Sequence, residues 1–182
     1  MVILQHLGIA SVVILAVGLS LIPMVWPYSI KHTFSQHIAR HKSSTLYYSI
    51  LFSIFLPLFL TFFIAWLVPH LQLPTIVTVL IVAVAITQYA CTFIPETHGW
   101  RRQWHRALAG SSAFGLIPIV FSLTFVPHMP VQVTATCSSI LMLILPIIFL
   151  HPKFHKFGES YIIQAIYYAA FFTPVIVATY TI

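Results

Sequence analysis

The chain has 182 residues, of which 60% are apolar and only 5% charged, with a formal net charge of +6. Soluble domains carry about a quarter charged residues, so a soluble globular fold is excluded and an integral membrane protein is indicated. The positive charge does not point to nucleic acid, because Lys and Arg are divided among short stretches beside apolar segments rather than gathered on one surface.

Crossing roughly 30 Å of hydrocarbon takes about 20 apolar residues. Six stretches satisfy this, at about 5–26, 44–68, 74–94, 104–126, 130–150 and 158–180, and they predict an all-α fold. The expected architecture is a polytopic membrane bundle of six transmembrane helices forming a single domain over residues 1–182. No Lys or Arg precedes Lys31, so the first span lacks the charged leader of a signal peptide and is read as a retained helix. Immediately after it, YSIKHTFSQHIARHK (28–42) sets Ile30, Phe34 and Ile38 four apart among Lys, Arg and His. That is the pattern of a short interfacial helix lying in the headgroup plane.

Within the spans, Pro23, Pro57, Pro118, Pro146 and Pro174 each remove a backbone donor and favour a kink. In the fourth span Ala107, Ser111 and Gly115, and beside them Ala109 and Ala113, recur every four residues. Such small faces let helix backbones approach closely and predict a central place for that span. Trp26, Trp66, Trp100 and Trp104, with Tyr28, Tyr47, Tyr48, Tyr161 and Tyr180, fall near span ends and read as interface anchors. Gln88, Thr92, Ser111, Ser112 and Gln164 are expected to make hydrogen bonds between helices. Cys91 and Cys137 differ in depth by roughly 15 Å, too far for a disulfide. The Pro-His pairs at 69 and 127 recur at a spacing that would suit a copied helical hairpin.

Charge placement predicts orientation. Lys31, Arg40 and Lys42 follow the first span, Arg101, Arg102 and Arg106 follow the third, and Lys153 and Lys156 follow the fifth. The connections after the second and fourth spans carry none. Cytoplasmic loops retain Lys and Arg, so the basic connections are expected in the cytoplasm and both termini on the extracytoplasmic side. The cations after the first and third spans, Lys31, Arg40, Lys42, Arg101, Arg102 and Arg106, are then candidates for binding anionic lipid headgroups.

The same side is rich in histidine. His37 and His41 in HIARHK, and His151 and His155 in HPKFHK, repeat a His-x-x-x-His-Lys pattern. At helical spacing i and i+4 share a face, so His37 with His41 would chelate a metal, while Pro152 weakens the argument for the second pair. Together with Glu96 and His98 these histidines suggest a mixed nitrogen and oxygen site for zinc or iron, against the simpler reading of histidines suited to the headgroup zone. Glu96, His98, His105 and Glu159 form the candidate polar site.

The order of these features resembles the six-helix membrane family catalogued as domain of unknown function 998. The residues that carry the resemblance are PYSIKHTFSQHIA after the first span, FIPETHG closing the third, WHRALAGSSAFGLIPIVFSL opening the fourth and FGESYIIQAIYYA opening the sixth. In that family the third span is similar in ending on a Phe-Pro-acid turn followed by a His that heads a small-residue helix, matched here by Phe93, Pro95, Glu96 and His105. The chain departs from the pattern where Ile94 separates Phe93 from Pro95, and where Gln36 and His37 stand in place of an acid near Ser35. The resemblance implies the six-helix architecture and draws attention to Glu96, His98, His105 and Glu159, without implying an activity.

No Asp, Glu, Lys or Arg lies at the middle of a span, which argues against a proton pump or a retinal protein. The leading expectation is a non-enzymatic bundle that binds lipid or handles a small molecule, or an accessory subunit with a membrane-protein partner or a second copy of itself. A membrane-embedded zinc or iron enzyme acting on lipid, with Glu96 as base, is the alternative. Haem held by paired histidines is a third reading.

Overall fold

The computed structural model describes residues 2–27, 32–150 and 161–182, and its regular structure is helical, with no strand among the described residues. Each of the six apolar stretches becomes one long helix. They are α1 (Val2–Val25), α3 (Lys42–Phe62, continuing through Phe63–Leu67 and Val68–His70), α4 (Thr75–Phe93), α5 (Trp100–Ser122, tightening into a 3-10 turn at Leu123–Phe125), α6 (Met129–Leu150) and α7 (Tyr161–Thr181). The short α2 (Phe34–Ile38) lies between α1 and α3. All six long helices are long and apolar enough to cross a membrane, and helices are one of the two backbone solutions that satisfy every N–H and C=O without water. Pro23, Pro57, Pro118, Pro146 and Pro174 all sit inside helices.

The chain divides into two compact units, Met1–Tyr28 with Phe34–Gly115, and Ser29–Thr33 with Leu116–Ile182. In the first, α1 packs along α3, and α3 along α4. Close approach of α1 to α3 depends on glycine: a Cβ on Gly8 would come within 2.7 Å of the Phe62 ring, and one on Gly18 would collide with the Leu51 side chain. Along α3 runs an aromatic seam that meets α1 at Phe62 and α4 at Tyr48. Tyr48, Phe52, Phe55, Phe59, Phe62, Phe63 and Trp66 are buried, with successive rings 4.5 to 6.0 Å apart. Tyr48 and Trp66, read as interface anchors, therefore belong to the packed core. Trp100, Trp104 and Tyr180 are exposed, as an anchor would be.

Near its end α3 widens into a π-helical turn, Phe63–Leu67, in which the Val68 N–H reaches back five residues to the Phe63 carbonyl. Pro69 follows, and its ring would clash with a carbonyl four residues earlier in a regular α-helix; the wider turn accommodates it. The helix then stops in a left-handed turn at Gln72 (φ 51), with Leu73 N–H on the Val68 carbonyl and Gln72 N–H on the Pro69 carbonyl. Pro69 is thus helical, whereas Pro127 lies in the connection before α6, so the two Pro-His pairs occupy unlike local structures.

Polar side chains stitch the first unit together. Gln88 Nε2 donates to the Tyr48 hydroxyl (3.2 Å), Thr87 and Ser112 hydroxyls pair at 2.8 Å, Ser53 and Tyr89 at 3.1 Å, and Ser49 donates to the Thr92 carbonyl (3.3 Å). For Gln88 and Ser112 this is the interhelical use expected, whereas the Thr92 hydroxyl donates to the Tyr89 carbonyl of its own helix and only its backbone carbonyl meets α3. The small face of α5 behaves differently from expectation. Gly115 does meet α4, with Val84 Cγ2 only 2.6 Å from where a Cβ would stand, but Ala107 and Ser111 are exposed. The buried line of α5 runs instead through His105, Ser112, Leu116 and Ile119. At 3.6 residues per turn, Ala107 and Ser111 lie well off that line.

In the second unit α6 packs along α7. The α7 core is Ile163, Ala170, Phe171, Phe172, Val175 and Ala178. Its first N–H, that of Tyr161, donates to the His32 carbonyl (2.9 Å), and at its far end the Thr181 hydroxyl lies 3.4 Å from His128 Nδ1. Cys91 is a buried and Cys137 an exposed free cysteine.

Candidate functional site

Within the first unit residues 34–42 and the connection 94–100 lie at the same end of the helices. Trp26 Nε1 donates to Ser43 Oγ and Tyr47 to the Gly18 carbonyl, fixing the end of α1 against the start of α3; Ser49 to Thr92 fixes the end of α4 there too. Arg40, Lys42, Arg101 and Arg102 are exposed at this end.

The α4 to α5 connection is built around two polar side chains. Ile94 caps α4, the Thr97 N–H donates to the Pro95 carbonyl (2.8 Å), and Gly99, at φ 59, takes the left-handed step that lets α5 begin at Trp100. This turn drops Glu96 under the first turns of α5. Its side chain is 5% exposed, with Arg106 Nε donating to Oε1 at 2.8 Å and Arg102 Nε 3.8 Å from the same oxygen. One contact is a charge-assisted hydrogen bond; the other is only a coulombic neighbour. His105, also buried, closes the connection from the other side: its Nδ1 donates to the Ile94 carbonyl at 2.6 Å, while its own carbonyl accepts from Cys91 Sγ at 3.7 Å. Both residues therefore hold the helix pair together. His98, between them in sequence, is exposed. The structure thus brings Glu96 to Arg106 and Arg102, and not to His98.

The other basic connection is organised through its backbone. α2 ends at Ile38, and His41 is extended (φ −128, ψ 139) as the residue before α3. His37 and His41 therefore do not share a helical face, and while His37 is buried, His41 is exposed. The buried face of α2 is Phe34, His37 and Ile38, packed against α1 and α3, so protein covers an apolar face expected to lie in the headgroup plane. Ser44 Oγ bonds to the carbonyls of Ile38 and His41, and Thr45 Oγ1 does the same. Among the described residues no three His, Cys, Asp or Glu side chains gather into a group that would hold a metal ion. Lys31, His151, Lys153, His155, Lys156 and Glu159 lie outside the described residues.

Sequence reasoning singled out Glu96 and His105 but missed their partners. The spacing of Arg102 and Arg106, four apart and so on one face of α5, was the available signal.

The fold defines a multi-pass, all-helical membrane protein. Comparison of the chain with protein families, with curated proteins and with solved structures returned no match.

Proposed function

We propose that this is a non-catalytic membrane protein whose basic end binds anionic lipid headgroups, with that end in the cytoplasm and both termini outside. The observation that carries the reading is an imbalance of charge. At one end of the first unit Arg40, Lys42, Arg101 and Arg102 are all exposed, while Glu96, the only carboxylate side chain among the described residues, is buried and already hydrogen-bonded to Arg106. Exposed Trp100 and Trp104 flank Arg101 and Arg102 and suit the headgroup depth. The absence of Lys and Arg from the connections after the second and fourth spans supports the orientation. The same reading keeps the likeness to the domain of unknown function 998 family as a proposal about ancestry.

Native mass spectrometry of protein taken from nanodiscs of phosphatidylcholine mixed with phosphatidylglycerol tests it. Preferential retention of phosphatidylglycerol is expected, falling as salt rises and as Arg40, Lys42, Arg101 and Arg102 are replaced by Gln. Retention indifferent to salt and to those changes overturns the headgroup reading. Labelling of single cysteines introduced at His98 and at Gln72, from each side of sealed vesicles, tests the orientation: His98 is expected to react from the cytoplasmic side.

A further inference from the structure

Arg106 and Arg102 both turn Nε toward one oxygen of Glu96, yet only Arg106 reaches it. Arg102, at 3.8 Å and 47% exposed, is drawn toward a carboxylate that does not satisfy it. It stands with Arg101 in the first turn of α5, which contains no acidic residue. There the unpaired backbone N–H groups and the positive end of the helix dipole add to the attraction for an anion. A phosphate group accepts two parallel N–H donors from one guanidinium, a bond Glu96 does not make with Arg102 at this separation.

We propose that Arg102, with Arg101 beside it, is the principal phosphate-binding point of the basic end, and that Glu96 is an internal competitor that limits its affinity. This rests on the headgroup reading above and sharpens it: affinity for phosphate is set by the carboxylate beneath Arg102 rather than by the sum of positive charge. Glu96 is a positioning residue. Its charge, shared between Arg106 and Arg102, holds the second guanidinium near the membrane-facing start of α5 and is what a headgroup must outcompete.

The test compares wild type with Glu96→Gln, Arg102→Gln, the double variant and Arg40→Gln in nanodiscs with and without phosphatidylglycerol. A negative charge removed from roughly 6–8 Å away is worth about a three- to tenfold change in affinity at low salt, shrinking as salt rises. Glu96→Gln, which keeps an oxygen acceptor for Arg106, is therefore expected to retain phosphatidylglycerol about three- to tenfold more tightly. Arg102→Gln should lose most of the preference in both backgrounds, and more than Arg40→Gln, a change at another exposed arginine. Inorganic phosphate titrated against protein in pure phosphatidylcholine nanodiscs forms the second arm: a gain on Glu96→Gln there as well identifies soluble phosphate as a ligand of the same site, and a gain only with phosphatidylglycerol identifies the lipid. Unchanged or weaker binding by folded Glu96→Gln in both arms overturns the competitor role, as does equal loss from Arg102→Gln and Arg40→Gln, which needs no Glu96 variant to fold. If wild type itself shows no phosphatidylglycerol preference, the headgroup reading fails first.

Discussion

Two connections at one end of the first unit carry basic residues, and they handle charge in opposite ways. The α4 to α5 connection buries a carboxylate and spends one arginine on it, so charge there is part of what holds the helices. The connection from α1 through α2 to α3 buries its polar demands in backbone carbonyls met by Ser44 and Thr45, and leaves Arg40 and Lys42 exposed. Electrostatics alone does not distinguish a structural cation from a surface one. The difference lies in whether a buried acid waits within hydrogen-bond reach.

The largest expected effect follows from breaking the structural pair from the side that strands the acid. Arg106→Ala takes the 2.8 Å donor away from buried Glu96 and leaves Arg102 at 3.8 Å. Losing one partner of a fully buried pair costs about 3–5 kcal/mol; with Arg106 itself partly exposed, water lowers this to about 1–3 kcal/mol. Thermal unfolding in detergent measures it. Removing both charges together, as Glu96→Gln with Arg106→Gln, should recover much of the loss, and a double variant no more stable than Arg106→Ala would show that the carboxylate is not the source.

His105 gives the next largest effect. His105→Ala removes the donor to the Ile94 carbonyl at the end of α4 and should cost about 1–2 kcal/mol. His105→Asn, whose side-chain amide can place a donor near the position of Nδ1, is expected to keep part of that stability. Equal loss in both variants would mean that ring packing, not the hydrogen bond, is what His105 contributes. On the other connection Ser44→Ala should cost less, about 0.5–1 kcal/mol, because the Thr45 hydroxyl stays within hydrogen-bond reach of both carbonyls that Ser44 serves, sharing its one proton between them.

How far these differences are legible in the sequence depends on their physical origin. Spans are legible because crossing hydrocarbon is a demand on composition and length alone, and helices formed within a few residues of each expected stretch. Neighbours are not, because when every face of a helix is apolar, periodicity no longer tells the protein side from the lipid side. The aromatic seam of α3 was hidden in this way, and Trp66 was mistaken for an anchor. The small face of α5 misled for the same reason: small residues permit close packing without requiring it, as exposed Ala107 and Ser111 show. At the candidate site the unusual residue types, Glu96 and His105, were visible, but their pairing depends on the turn at Pro95 and Gly99, a matter of backbone geometry.

The smallest expected effect on stability belongs to Arg40 and Lys42, and it sharpens the comparison most. Both are exposed, and exposed cations hold a fold weakly, so Arg40→Gln with Lys42→Gln should change unfolding by no more than about 1 kcal/mol. The same variant is expected to lower retention of phosphatidylglycerol and flatten its salt dependence, since surface cations attract anionic headgroups through a field that salt screens. Arg106→Ala should instead destabilise the protein and, by leaving the charge of Glu96 to Arg102, lower retention only while Glu96 is present, so that adding Glu96→Gln restores it. A double change at Arg40 and Lys42 that unfolds the protein, or a loss of lipid preference on Arg106→Ala that persists when Glu96→Gln is added, would erase the division between cations that hold the fold and cations that meet the membrane.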